Sequence, residues 1–162
     1  MRFKKKKKES EGSPYDKLMD RALKLLSKRR LSAHELEIRL RKKKVEEEDV
    51  VKVLERLKEY GYLDDLGYAK DFISDRLKFR PRGIRALRNE LYKKGIKKED
   101  IETAVLNAGI DEEEIAKELI ERKQQSLKRH PLAKRKQKAV LYLKSKGIQP
   151  GIIYKMVDEM QE

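Results

Sequence analysis

One pattern of apolar positions occurs three times along this chain, at intervals of about 51 residues. The copies read LRKKKVEEEDV (40–50), LYKKGIKKEDI (91–101) and LKSKGIQPGII (143–153). In each copy, apolar residues follow the first leucine at the fifth and tenth positions, and a further one closes the pattern at Leu54, Val105 and Val157. Repetition at this period predicts stacked helical units, which offer extended surfaces to a large partner more often than they enclose a reaction pocket.

The apolar spacing around these copies predicts nine helices and no strand. Ser13 followed by Pro14 is typical of a helix start, and Ser32 with Glu35 is typical of a capping box. Gly95 and Gly147 suit helix C-termini, whereas Lys44 stands at the corresponding place in the first copy, so its cap should differ or be strained. The predicted fold class is therefore all-α, with three tandem three-helix repeats, helix-turn-helix-like units, in an elongated array. The expected boundaries are a disordered basic tail at 1–12 and repeats at 13–63, 64–110 and 111–162.

The charge content says more about function than the length of the chain does. Charged residues make up 44% of the 162 residues, against about 25% in ordinary proteins, and the formal net charge is +14. Solvated Lys- and Glu-rich helix faces account for the abundance of charge but not for the imbalance. There is no cysteine and no apolar run long enough to span a bilayer, so we expect a cytoplasmic protein.

Two stretches concentrate the positive charge. Between Lys78 and Lys98 there are nine basic residues and one acid, and between Arg122 and Val157 there are eleven basic residues and none. In the predicted fifth helix, Arg85, Arg88 and Tyr92 share one face. Elsewhere the acids cluster at predicted helix N-termini, where the helix dipole explains them. Such stretches favour a surface for a polyanion over ordinary solvated surface.

Catalysis has little support in the sequence. The two histidines, His34 and His130, lie in different repeats, and no motif indicates a nucleophile, a metal site or a phosphate-binding loop. Asp64 and Asp65 are better explained by helix capping than as a carboxylate pair. We therefore expect no enzymatic activity and no cofactor. A sequence-specific repressor is also disfavoured, because no helix has a distinct polar, base-reading face.

Several segments resemble the RecX regulatory proteins of bacteria. They are ALKLLSKRRLSAHELEIRL (22–40), LKEYGYLDDLGYAKDF (57–72) and LRNELYKKGI (87–96), of which GYLDD followed by Tyr68-Ala69 is the most specific. The similarity extends from about residue 16 to 160 and is weakest in the third repeat. It implies a curved array of three-helix repeats with no catalytic residues.

The resemblance also implies a partner, the RecA recombinase. Members of the family bind the groove of the RecA–DNA filament and usually inhibit ATP hydrolysis, strand exchange and co-protease activity, which belong to DNA repair, homologous recombination and the SOS response. From charge alone, we expect the contacts to RecA and to single- and double-stranded DNA phosphates at two basic clusters of a monomer. These are Arg76, Arg80, Arg82, Arg85, Arg88, Lys93 and Lys94, and then Lys134, Arg135, Lys136 and Lys138. A general nucleic-acid-binding protein without a protein partner, and an enzyme with an unrecognised site, remain as alternatives.

Overall fold

The computed structural model describes residues 12–42 and 44–161, and in this part of the chain there are nine α-helices and no strand. The helices are α1 (Pro14–Leu26), α2 (Ala33–Arg41), α3 (Glu47–Glu59), α4 (Asp65–Phe79), α5 (Ile84–Lys93), α6 (Lys98–Asn107), α7 (Glu112–Leu127), α8 (Leu132–Ser145) and α9 (Pro150–Asp158). The predicted all-α fold of tandem three-helix repeats is confirmed. The predicted tail, apart from Gly12, lies outside the described residues. The elongated, curved arrangement and the repeat boundaries stay predictions.

Local side-chain chemistry sets the starts of α1 and α2. The Ser13 hydroxyl accepts from the Asp16 amide at 3.2 Å, and the Asp16 carboxylate accepts from the Ser13 amide at 2.9 Å. Ser32 and Glu35 form the same reciprocal pair at 3.1 and 3.3 Å, which confirms the predicted capping box. Each box satisfies two backbone N–H groups that the first helical turn leaves unpaired.

Two of the repeated turns contain a glycine in the left-handed region. Gly95 has φ 75° and Gly147 has φ 80°, and each turn is closed by a bond from the next amide to a leucine carbonyl, Ile96 to Leu91 and Ile148 to Leu143, both at 3.2 Å. Among the described non-glycine residues none has positive φ, so Lys44 does not reproduce this turn. The first copy ends its helix differently, as its sequence indicates.

The described chain divides into two compact units, which meet in sequence between Asp64 and Asp65. The first unit holds α1–α3 around a core in which Leu36, Leu40 and Val50 are fully buried. The second unit holds α4–α9 around two clusters, one within α4–α6 and one within α7–α9. Leu77 and Ile110 pack against both clusters, so the second and third repeats share a continuous apolar interior.

A buried carboxylate joins the second and third repeats within the second unit. Glu112, only 5% exposed, accepts from the Ile84 amide at 2.7 Å and from the Gln149 amide at 3.3 Å. Beside it the Gly83 amide donates to the Lys146 carbonyl at 2.9 Å. The carboxylate satisfies amide donors at the starts of both α5 and α9. The N-cap residues of these two helices, Gly83 and Gln149, provide no side-chain hydrogen bond of their own. Glu112 thus joins the start of α5 to the start of α9, and the Gly83 amide joins the start of α5 to the end of α8.

Candidate nucleic-acid interface

The seven predicted contact residues of the first basic cluster all lie in the second unit, on α4, on α5, in the connection between them or, for Lys94, directly after α5. Three of them are paired with glutamates. Glu90 of α5 accepts from the Arg76 Nε at 2.7 Å, and the Arg82 Nε lies 3.5 Å from its other oxygen. The Arg76 guanidinium also lies over the Phe72 ring, 4.8 Å from its centre. Arg76 and Arg82 therefore share one carboxylate, which lowers the charge they offer to an outside anion.

Arg88 is held more firmly. Its Nε and Nη2 donate to the two carboxylate oxygens of Glu102 on α6 at 2.9 and 2.7 Å, the bidentate geometry that arginine favours. The hydrogen bond to Glu102 raises the pKa of Arg88, and the same bond lowers the pKa of the Glu102 carboxyl. The pair connects α5 to α6, so Arg88 has a structural partner that its sequence position did not reveal.

The other residues of the first cluster present their charge to solvent to different degrees. Arg80, Arg85 and Lys93 are exposed and form no ion pair with another described residue. Tyr92, predicted to share a face with Arg85, is 48% exposed. Lys94 lies over the rings of Tyr68 and Phe72, with its Nζ 5.7 and 5.6 Å from the ring centres.

The second basic cluster lies in the first turns of α8. Lys134 and Lys138 are exposed and Lys136 is half-buried, and none of the three forms an ion pair within the described chain. Arg135 donates to the Gln161 carbonyl at 3.2 Å. No acid occupies the first turn of α8, and no side chain caps it. Cations at this end of a helix face the positive end of its dipole, so their placement gains nothing for the helix itself.

His130, just before α8, responds to this uncompensated charge. Desolvation is the main cause that lowers the pKa of His130, and the nearby cations Lys138, Lys134 and Arg129 lower it further. A protonated imidazole is disfavoured here mainly by its loss of contact with water and then by the three cations around it. The potential at the start of α8 is therefore positive in the folded protein.

A further group of cations, which the sequence did not single out, surrounds Tyr142 of α8. The Lys123 Nζ of α7 and the Lys146 Nζ at the end of α8 each lie 5.2 Å from the centre of the Tyr142 ring. Desolvation lowers the pKa of Lys146, and Arg82, Lys123 and Arg122 lower it further. The only available signal was the long stretch without acids, because the ring contacts depend on how α7 packs against α8.

The described residues contain no group of three or more His, Asp or Glu side chains placed to hold a metal ion. None of the described helices combines the length and apolar character needed to cross a bilayer.

Comparison with known proteins gives the same family for every repeat. Family models described as the first, second and third three-helix domains of RecX match residues 19–57, 64–105 and 111–157. The regulatory protein RecX of Chlorobaculum tepidum is 34% identical over 129 residues, covering 80% of this chain and 79% of that protein. That of Bacillus subtilis is 30% identical, covering 93% of this chain and 57% of its own length.

Other relatives are longer than the matched region. The regulatory protein RecX of Oceanobacillus iheyensis is 29% identical over 83% of this chain, and the chain spans 50% of its length. Among solved structures, a crystal structure of regulatory protein RecX aligns with a TM-score of 0.82 at 25% identity, over 91% of this chain and 74% of that one. The crystal structure of RecX from Lactobacillus salivarius aligns at 0.75 over 90% and 96%, and at 22% identity it supports the fold alone.

Proposed function

The chain belongs to the RecX family of regulatory proteins, and we propose that it acts by binding the RecA–DNA filament through the basic surface of its second unit. In this role it modulates RecA and inhibits ATP hydrolysis, strand exchange and co-protease activity. It works in the cytoplasm as a monomer and performs no chemistry of its own. Its contacts are to RecA and to the phosphates of single- and double-stranded DNA.

The observation that carries this proposal is the uncompensated charge of α8. Lys134, Lys136 and Lys138 form no ion pair with a described residue, although this chain is rich in acids that pair readily elsewhere. Like charges placed together near the positive end of a helix dipole are costly to the free protein. A polyanionic partner offsets that cost, because phosphates gain from both the lysines and the dipole.

The exposed part of the first cluster supports the same role. Arg80, Arg85 and Lys93 are exposed and unpaired with described acids, so they can contact either phosphates or acidic protein side chains. A filament offers both kinds of group along a repeating surface. A tandem-repeat protein suits such a partner because successive units can meet successive subunits.

The test is to add the protein to preformed RecA filaments on single-stranded DNA and to follow ATP hydrolysis. We expect inhibition that reaches its limit at a fixed ratio of this protein to RecA. The variant Lys134→Glu/Lys138→Glu should lose at least about tenfold in potency, because each reversal removes a phosphate contact. Lys70→Glu/Lys117→Glu changes two exposed lysines on α4 and α7 by the same charge and is the matched control. Absence of any effect at stoichiometric amounts would contradict the proposal.

The alternative, a general nucleic-acid-binding protein, predicts a different salt dependence. Binding to bare DNA should weaken steeply with salt, with a logarithmic slope of about −0.9 per phosphate neutralised. Binding to RecA filaments should weaken less, because protein contacts contribute as well. If affinities for naked DNA and for the filament have the same magnitude and the same slope, the alternative is favoured.

A further inference from the structure

The cations near Tyr142 continue a row that begins at the start of α8. Lys134, Lys138, Tyr142 and Lys146 follow one another at intervals of four residues. Residues four apart on a helix are neighbours, so these side chains form one ridge along α8. From Lys134 to Lys146 the ridge covers about 18 Å, at about 1.5 Å per residue. The second basic cluster is therefore one end of a longer cationic row.

At the far end of this row, side chains from both repeats come together. Lys123 joins from α7 through its contact with the Tyr142 ring. The Gly83 amide bonds to the Lys146 carbonyl at 2.9 Å, which brings Arg82 beside the end of α8. Arg122 precedes Lys123 on α7 but is paired with Glu118, and Arg82 lies near Glu90. Lys123 and Lys146 form no ion pair within the described chain, so they supply the net charge of this group.

Tyr142 adds a hydrogen-bonding group to these charges. Two ammonium groups already contact its ring, so the side chain has little open face for stacking a base. Its hydroxyl makes no hydrogen bond with the described residues. A phenolic hydroxyl can donate to an oxyanion that two lysines neutralise.

We propose that Lys123, Lys146 and Tyr142 form a binding site for a phosphodiester of a nucleic-acid strand, with Arg82 and Arg122 at its edge. This inference deepens the proposed function, on which it rests, by naming where one phosphate group of the bound strand lies. A strand carries phosphates at regular intervals, so one molecule can contact Lys134 and Lys138 at one end of the ridge and this site at the other. An isolated acidic side chain of a protein cannot cover that length.

The experiment measures binding of the full chain to a labelled duplex in the absence of RecA, over a range of salt concentrations. Lys123→Gln/Lys146→Gln should reduce the logarithmic salt slope by about 2 and the affinity by at least about tenfold, since each phosphate-bound lysine contributes a slope of about 1. Lys70→Gln/Lys117→Gln, with the same loss of charge at exposed positions on α4 and α7, should leave the slope close to that of the parent protein.

Two further variants identify the chemistry of the site. Lys123→Arg/Lys146→Arg keeps both charges and should have the same salt slope as the parent protein. Tyr142→Phe should weaken duplex binding severalfold but leave the salt slope unchanged. Circular dichroism and thermal melting confirm that each variant folds. Equal slopes for the Lys123/Lys146 variant and its control, or failure of the parent protein to bind the duplex, would overturn the proposal. So would an unchanged duplex affinity together with lost binding to DNA-free RecA, because the site would then serve an acidic protein surface.

These results separate the site from the proposed function. Suppose that the parent protein inhibits RecA ATP hydrolysis but Lys123→Gln/Lys146→Gln binds the duplex as well as its control, Lys70→Gln/Lys117→Gln. The proposed site is then wrong and the proposed function stands. If the slope falls as expected but the parent protein leaves RecA unaffected, the site stands and the filament role is wrong.

Discussion

The basic helices α5 and α8 carry positive charge in different ways. On α5 and the residues before it, Arg76, Arg82 and Arg88 are paired with Glu90 or Glu102, so these arginines tie helices of the second repeat together. On α8, Lys134 and Lys138 are exposed and form no ion pair with another described residue. Formal charge along the sequence is similar in the two regions, whereas the charge available to a partner is not.

The type and placement of a cation therefore matter as much as the number of cations. Arginine at a helix contact can bind a carboxylate with two parallel bonds, and it is then part of the scaffold. The lysines near the start of α8 have no acid in the first turn of that helix to bind, and they oppose its dipole. We therefore expect α5 to contribute more to stability and α8 more to binding.

Removing three positive charges from α8, and in a second variant three from α4, α5 and their connection, should give the largest difference in duplex binding. Lys134→Gln/Lys136→Gln/Lys138→Gln should weaken duplex binding by about a hundredfold and reduce the salt slope by about 3. Arg76→Gln/Arg82→Gln/Arg88→Gln removes the same charge, but we expect less than about a tenfold loss of affinity together with a lower melting temperature. Fluorescence anisotropy and thermal melting measure the two properties. An equal loss of affinity in both variants would show that only net charge matters.

A test of the junction between α5 and α8 should give the next largest effect. Gly147 has φ 80°, and a Cβ on it would lie 2.5 Å from the Ala86 Cβ. We expect Gly147→Ala to lower the free energy of unfolding by about 2 kcal/mol or more, from backbone strain and overpacking. Gly109→Ala is the control, because Gly109 has φ 55° with nothing near the added Cβ, so it should show the strain alone. Denaturant unfolding measures both variants, and equal losses would argue against a close junction.

Removing the carboxylate that binds Arg88 should let α5 offer slightly more positive charge to a partner, as α8 does. Glu102→Gln should cost about 0.5 kcal/mol of stability, since the pair is partly exposed, and should strengthen duplex binding about two- to threefold. The hydrogen bond from Arg88 lowers the pKa of Glu102, so the stability from this pair is present above the usual glutamate pKa. It is lost as pH falls through the lowered value. Urea unfolding at several pH values should show this loss in the parent protein and not in the variant.

The smallest effect should appear at His130, which reports on the potential of α8. Desolvation, Lys138, Lys134 and Arg129 lower its pKa in that order, so the unfolded chain takes up a proton before the folded one does. Stability should therefore fall as pH drops below the usual histidine pKa. A bound polyanion should raise the pKa of His130 and make binding slightly tighter at pH 6 than at pH 7.5. NMR titration of His130 with and without DNA measures the change, and an unaltered pKa would mean that the strand does not approach α8.

Much of the local structure could be predicted because its causes are local. The box at Ser32 depends on Glu35 three residues away, and the turn at Gly95 depends on one left-handed residue. Helix positions followed from apolar spacing, and Leu87 and Leu91 are fully buried on the face that the spacing indicates. The location of the basic clusters on α4, α5 and α8 also followed from sequence, whereas their role as contacts stays a prediction.

The environment of Glu112 does not follow from the sequence. Its position in an acidic run at a helix start predicts an exposed acid that favours the dipole, yet it is buried against α5 and the start of α9. Its bonds reach 28 and 37 residues along the chain. No spacing rule connects positions so far apart, because the packing of two repeats decides which groups meet.

The residue order alone was enough to predict the helices, the caps at Ser13 and Ser32, the threefold repetition and the excess of positive charge. Helices and these caps depend on spacing within one or two turns, whereas the repetition and the net charge depend only on which residues occur and where they recur. Which cations are neutralised depends instead on how the helices pack against one another. Arg88 meets Glu102, 14 residues away, and Lys123 meets Tyr142 on another helix. Coulomb energies depend on distances in space and on desolvation, and both are set when the helices pack.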